Sequence, residues 1–247
     1  MGLPWFREVL PILGRRGSKN YLSAIAGSYV LWHHLVRGNP QAALGVDPDE
    51  TLRMMVIPSK HNQAQEGQWR SLRNRILEAP CFKPFIAKRG ADTLRIFSPH
   101  DLQCQGEDPD FDWRRATFEI TAEESTPSGL RGMASIAIFF DEMGHGASPG
   151  TLASVEELYE AAKPPLGQTG KDALIWATST PSYQRGQLWT SYQASLARDE
   201  HGPVDPRLSA LTVMAKPIRF SSWRLWPMLW ARPSHMVSSR CRLMDAG

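Results

Sequence analysis

The most constraining feature of this chain is the apolar run Ile136-Ala137-Ile138-Phe139-Phe140, which ends in two adjacent carboxylates, Asp141 and Glu142. A continuous apolar run rich in β-branched and aromatic residues reads as a strand buried on both faces, and such strands belong to parallel sheets covered by helices. Leu174–Thr178 is a second run of this kind. Shorter strand candidates are Val9–Leu13, Met54–Ile57, Thr93–Phe97 and Thr117–Thr121. Between and after them, the spacing predicts helices over about Tyr21–Val36, Gln63–Leu77, Thr151–Ala162 and Gln187–Ala197. In the first, Leu22, Ile25, Ala26, Tyr29 and Val30 share one face and are the expected core contacts. In the second, Trp69, Leu72 and Ile76 play that part. The alternation predicts an α/β chain with a central, mainly parallel β-sheet flanked by helices.

Composition sets the outer limits. Hydrophobic residues make up 42% and charged residues 21% of 247, a balance that excludes a disordered or fibrous chain and favours one sizeable domain. That domain is expected over residues 1–216. From Pro217 to Gly247 five Arg stand against the single acid Asp245, and Trp223, Trp226 and Trp230 follow no period that could bury one face. Residues 217–247 therefore read as an irregular tail outside the domain. The net charge of +3 is too small to name a partner. Cys81, Cys104 and Cys241 form neither a disulfide framework nor a zinc motif, which fits a reducing cytoplasm. The first residues lack a signal-peptide layout, and no stretch approaches the roughly 18 apolar residues of a spanning helix, so no membrane association is expected. His33 and His34 are neighbours on a helix and so face apart, which excludes a shared metal site on that helix.

Three segments carry chemistry. Asp141-Glu142 at the carboxyl end of a buried strand stand where α/β sheets bind ligands, and a pair of this kind can hold Mg²⁺ with one carboxylate and orient an attacking water with the other. The same acids can also cap the segment that follows. Gly14-Arg15-Arg16-Gly17-Ser18-Lys19-Asn20 lies between a strand and a helix, the context in which main-chain N–H groups and a lysine cradle phosphate. Against the P-loop pattern G-x-x-x-x-G-K-[ST], Leu13 and Ser18 replace the glycines, and Asn20 replaces the hydroxyl residue that would help hold the metal. Thr178-Ser179-Thr180-Pro181 closes the other buried strand with a hydroxyl-rich turn, a common strand ending in its own right.

Taken in order, these segments resemble the large subunit of tailed-phage terminases, the ATPase that drives DNA into a procapsid. Gly14, Arg15, Arg16 and Lys19 match the family's GRRxGK[ST] form of Walker A. Asp141-Glu142-Met143-Gly144-His145 is similar to its DEMAH form of Walker B, and Ala177-Thr178-Ser179-Thr180-Pro181 resembles its coupling motif. Val56-Ile57-Pro58 with Gln63-Ala64, and Ser125-Thr126-Pro127 through Leu130-Arg131-Gly132, look like the segments that lie between, so the likeness covers roughly residues 7–200. The resemblance implies an additional-strand P-loop NTPase fold, with ATP and Mg²⁺ as cofactors. It implies phosphate contacts from Gly14, Arg15, Arg16, Gly17, Ser18, Lys19 and Asn20, and metal binding by Asp141, with Asn20 as a second candidate. Lys19 and Glu142 are its expected catalytic residues, and Thr178, Ser179 and Thr180 its coupling residues. Double-stranded DNA, a portal protein and a small terminase subunit are its implied partners, a homo-oligomeric ring its assembly, and the bacterial host cytoplasm its location. The family's nuclease domain has no counterpart in these residues. With the departures at Leu13, Ser18 and Asn20, this leaves a second expectation open, a truncated and catalytically impaired prophage remnant that binds nucleotide or a partner without turnover.

Overall fold

In the computed structural model, residues 7–14, 17–58, 67–108, 110–122, 130, 134–145, 154–181, 185–199, 202–203 and 208–213 are described. All of them fall within the compact unit Met1–Ala215. Arg15, Arg16, the Gln63-Ala64 and Ser125-Thr126-Pro127 segments, Arg131, Gly132 and the expected tail 217–247 lie outside the described residues.

The sheet is built from β1 (Glu8–Leu13), β2 (Leu52–Ile57), β3 (Ile86–Arg89), β4 (Thr93–Ile96), β5 (Phe118–Ala122), β6 (Ser135–Phe140), β7 (Leu174–Ala177) and β10 (Leu208–Val213). A separate two-residue hairpin pairs β8 (Arg198–Asp199) with β9 (Gly202–Pro203). Strand order in the eight-stranded sheet is β10-β1-β7-β6-β2-β5-β4-β3. The pairs from β10 through β5 are parallel, and only β4 runs against its neighbours β5 and β3. The protein is therefore α/β with a mainly parallel central sheet, as the alternating pattern predicts.

Helices cover both faces. On one, α1 (Lys19–Leu35) and α3 (Gln68–Glu78) pack Val30, Leu31, Leu35, Trp69, Leu72 and Ile76 against Met54, Val56, Ile120 and Phe139. On the other, the helix Val155–Gln168 sets Leu158, Ala162 and Leu166 against Leu10, Met55, Ile138, Phe140 and Ile175. The short helix α2 (Pro40–Leu44) and α4 (Pro99–Glu107) precede this helix in the chain, so it is α5, and α6 (Gly186–Leu196) follows near β1 and β10. Ser135–Phe140 is buried at every position, the mark of a central strand with a helix layer on each face.

The buried face of α1 differs from the expected one. Ser23, Ala24, Gly27, Val30, Leu31, His34 and Leu35 are buried, while Leu22, Ile25 and Ala26 are half-buried and Tyr29 is 56% exposed. The first half of the inner face is made of small residues, Ser23, Ala24 and Gly27, because α1 lies close to its neighbours at Gly27. A Cβ added at Gly27 would stand 2.6 Å from a Leu72 methyl and 3.3 Å from the Phe139 ring. Side chains as large as Leu22 or Tyr29 have no room there.

Candidate phosphate and metal site

At the carboxyl edge of the sheet, backbone hydrogen bonds lock four strand ends together. Leu13 N–H donates to the Ser179 carbonyl (2.9 Å), joining the end of β1 to the turn after β7. Thr178 N–H donates to Phe140 O (3.0 Å), and Asp141 N–H to Ile57 O (3.0 Å), joining β7 to β6 and β6 to β2. The three segments singled out in the sequence, the first more than a hundred residues from the other two, thus meet at one edge. This is the crevice in which open α/β sheets bind ligands.

The loop after β1 turns tightly. Gly17 N–H donates to Gly14 O (2.9 Å), and a Cβ at Gly17 would stand 2.7 Å from that same oxygen, so glycine is required there. Ser18 follows in the left-handed region at φ 60°, ψ 29° and acts as N-cap of α1 without a side-chain capping bond. A glycine would adopt this conformation freely, whereas a serine pays about 1 kcal/mol. The first turn of α1 itself holds no acid, so the carboxylates near its positive end, Glu142 on Lys19 among them, come from other elements. Behind the loop, Trp176 Nε1 donates to Ser23 Oγ (3.0 Å) and Ser23 Oγ to Lys19 O (3.0 Å), tying the start of α1 to β7.

Lys19 Nζ forms an ion pair with Glu142 Oε1. The other carboxylate oxygen of Glu142 accepts from Thr180 N–H (3.0 Å) and Thr180 Oγ1 (3.1 Å). Glu142 itself is at φ 55°, so it reaches these partners from a backbone conformation that non-glycine residues seldom adopt. Burial raises the Asp141 carboxyl above its usual value, and the Lys19 ammonium pulls it partly back. Burial likewise lowers Lys19, and Asp141 opposes that shift. Gly67, which precedes α3 at φ 72°, lies close to both Asn20 and Asp141. A Cβ built there would be 3.6 Å from Asn20 Nδ2 and 3.6 Å from Asp141 Oδ2.

Lys19, Asn20, Asp141, Glu142 and Thr180 are therefore gathered at one place. Thr178 and Ser179 are near in backbone but not in side chain. Thr178 Oγ1 donates to Phe140 O (3.2 Å), whereas Ser179 Oγ accepts from Gly144 N–H (2.9 Å) and donates to Thr180 O (2.9 Å). Their hydroxyls brace the junction and leave Thr180 to meet the acid. Sequence reasoning missed Gly67 and the Trp176–Ser23 tie. Neither has a motif, and both depend on which helix packs beside which strand.

The donor set suits a hard divalent cation that also binds phosphate oxygens. Asp141 supplies a carboxylate and Asn20 an amide oxygen, and among the described residues no cluster of three His, Cys, Asp or Glu forms an all-protein metal cage. Mg²⁺ is held in this sparing way, by one or two protein oxygens together with substrate and water. A cavity of about 320 Å³ lies at the opposite edge, lined by Gln41, Glu50, His100, Asp101 and Arg115 among others. There Asp101 accepts from Ser98 N–H and Thr117 N–H, and Gln41 accepts from Thr117, so those buried polar groups serve the fold. No protein-family model matches the chain, and no curated protein matches it.

Proposed function

We propose that the chain is the ATPase portion of a tailed-phage terminase large subunit, coupling Mg²⁺-ATP hydrolysis to translocation of double-stranded DNA into a procapsid. The observation that carries this reading is the strand order β10-β1-β7-β6-β2. The strand with the hydroxyl-rich turn is inserted between the strand that feeds the lysine loop and the strand that ends in two acids, as an additional-strand P-loop NTPase fold requires. That insertion is also what brings Thr180 to Glu142.

In this reading Lys19 and the N–H groups at the start of α1 bind the phosphates. Asp141, with Asn20 beside it, holds the metal, which when bound neutralises charge on the phosphate oxygens. Glu142, steadied by Thr180, aligns a water for attack and takes its proton, and the turn at Ser179-Thr180 transmits the change through its bonds to β1. DNA, a portal protein, a small terminase subunit and a ring of like subunits are the partners this function requires. A second reading, a relative that binds nucleotide without turnover, is favoured by Ser18, which holds a left-handed conformation where the motif has glycine.

Steady-state hydrolysis and nucleotide titration separate the two. Glu142→Gln is expected to lower turnover at least about 100-fold while changing ATP affinity less than about tenfold. Asp141→Asn should weaken Mg²⁺-dependent binding itself. Ser18→Gly with Asn20→Thr should strengthen Mg²⁺-ATP binding by about 1–3 kcal/mol. Turnover that emerges only in that double reversion selects the second reading. Absence of ATP binding in every folded variant refutes both.

A further inference from the structure

The Lys19–Glu142 ion pair joins the two groups that the proposed reaction needs apart. Lys19 is required at the phosphates and Glu142 at the water, yet here each holds the other, with side chains only 12% and 26% exposed. Glu142 has a second hold, because Thr180 donates to its other oxygen through both N–H and Oγ1. Losing Lys19 therefore does not set the carboxylate adrift. It removes the ammonium from Oε1 while Oε2 stays anchored to the turn after β7. We infer that Glu142 is a latch on the phosphate loop: the carboxylate occupies the Lys19 ammonium until a phosphate displaces it, and the same displacement releases Oε1 to accept a proton while Thr180 keeps it in position.

Three features support this beyond the contact itself. The Lys19 side chain is only 12% exposed, so its ammonium needs an anionic partner within reach. A phosphate and a carboxylate satisfy that need interchangeably, which makes them competitors. The left-handed backbone at Glu142 aims its side chain from a fixed point, so the exchange needs side-chain rotation and no movement of β6. Thr180, which touches the carboxylate in both states, is a positioning residue in this scheme.

The inference rests on the phosphate-site reading, and the test keeps the two apart. Inorganic pyrophosphate is titrated calorimetrically without Mg²⁺ into the full chain, Glu142→Gln, Lys19→Met and the double variant, with folding checked by thermal melting. Glu142→Gln keeps the shape and the Thr180 contacts but gives up the charge that holds Lys19, so it should bind pyrophosphate about fivefold or more tighter than the parent, the scale of one partly exposed ion pair. In the Lys19→Met background the same change should do little. Equal tightening in both backgrounds means plain charge repulsion and overturns the latch. Lys19-dependent binding that Glu142→Gln leaves unchanged or weakens overturns the latch alone. Pyrophosphate binding by none of the folded variants overturns the phosphate site, and the latch with it. Should Lys19→Met fail to fold, Lys19→Gln replaces it.

Discussion

His34 lies fully buried on the inner face of α1. Burial, reinforced by the Arg37 guanidinium and by His33, lowers its pKa to about 4, and Asp172 opposes the shift only weakly. An unfolded histidine titrates near 6.5, so between those values the unfolded chain takes up a proton that the folded chain refuses. The stability contributed by neutral His34 is complete above about pH 6.5 and is lost as pH falls toward 4, by up to about 3 kcal/mol. Urea denaturation at pH 7.0 and 4.5 should show that fall, and His34→Leu should remove most of it. A slope that persists in His34→Leu assigns the effect to other groups. The site residues differ from His34 in how they could be read. Asp141, Glu142 and Thr180 were legible because each follows the end of a buried strand, and Lys19 because it opens the helix after one. His34 gives no such signal: it and His33 face apart on the helix, and only the rotation of α1 decides which of the two goes inside.

Rotation and length were the least legible properties of the elements. The central strands could be read because continuous apolar runs have few alternatives, whereas β3 (Ile86–Arg89) is short and half charged, and β10 mixes Ser and Thr with Leu, Ala and Val. Helix α4 carries a capping box, Ser98 with Asp101 behind Pro99, that a closer look at turn chemistry would have caught. Helix α5 outruns its expected end at Ala162. It continues through Pro164 and Pro165 to Gln168, because Pro165 and Leu166 are buried and their packing outweighs the missing hydrogen bonds. Pro164 is exposed and gives no such return. Pro164→Ala restores an N–H donor to that turn and is expected to raise unfolding free energy by about 1–3 kcal/mol, read from chemical denaturation. Unchanged stability would mean that the turn is already relaxed around the proline.

At the scale of the molecule, sequence order and spatial order part company at β1. It is the first strand of the chain, yet its neighbours are β7 and β10, the latter paired with it in parallel register from Glu8↔Leu208 to Leu13↔Val213. An expectation of β10 could not come from its own six residues. The pairing predicts a sharp boundary for shortening the chain. A protein ending after Ala215 should keep its thermal midpoint, whereas one ending after Arg207 loses β10 and should fall by about 3 kcal/mol or more, or lose cooperative unfolding. A cooperative melt at the parent temperature in the shorter form would remove β10 from the stabilising sheet. The same arrangement bears on synthesis. Glu8 pairs with Ile175, so 175 − 8 = 167 residues separate the first strand from its inner partner. At roughly 5–20 residues per second, the ribosome takes on the order of ten to thirty seconds to deliver that partner. Through that interval Val9–Leu13 is an apolar ribbon with both edges open, which makes the nascent chain a client for chaperones until β7 emerges.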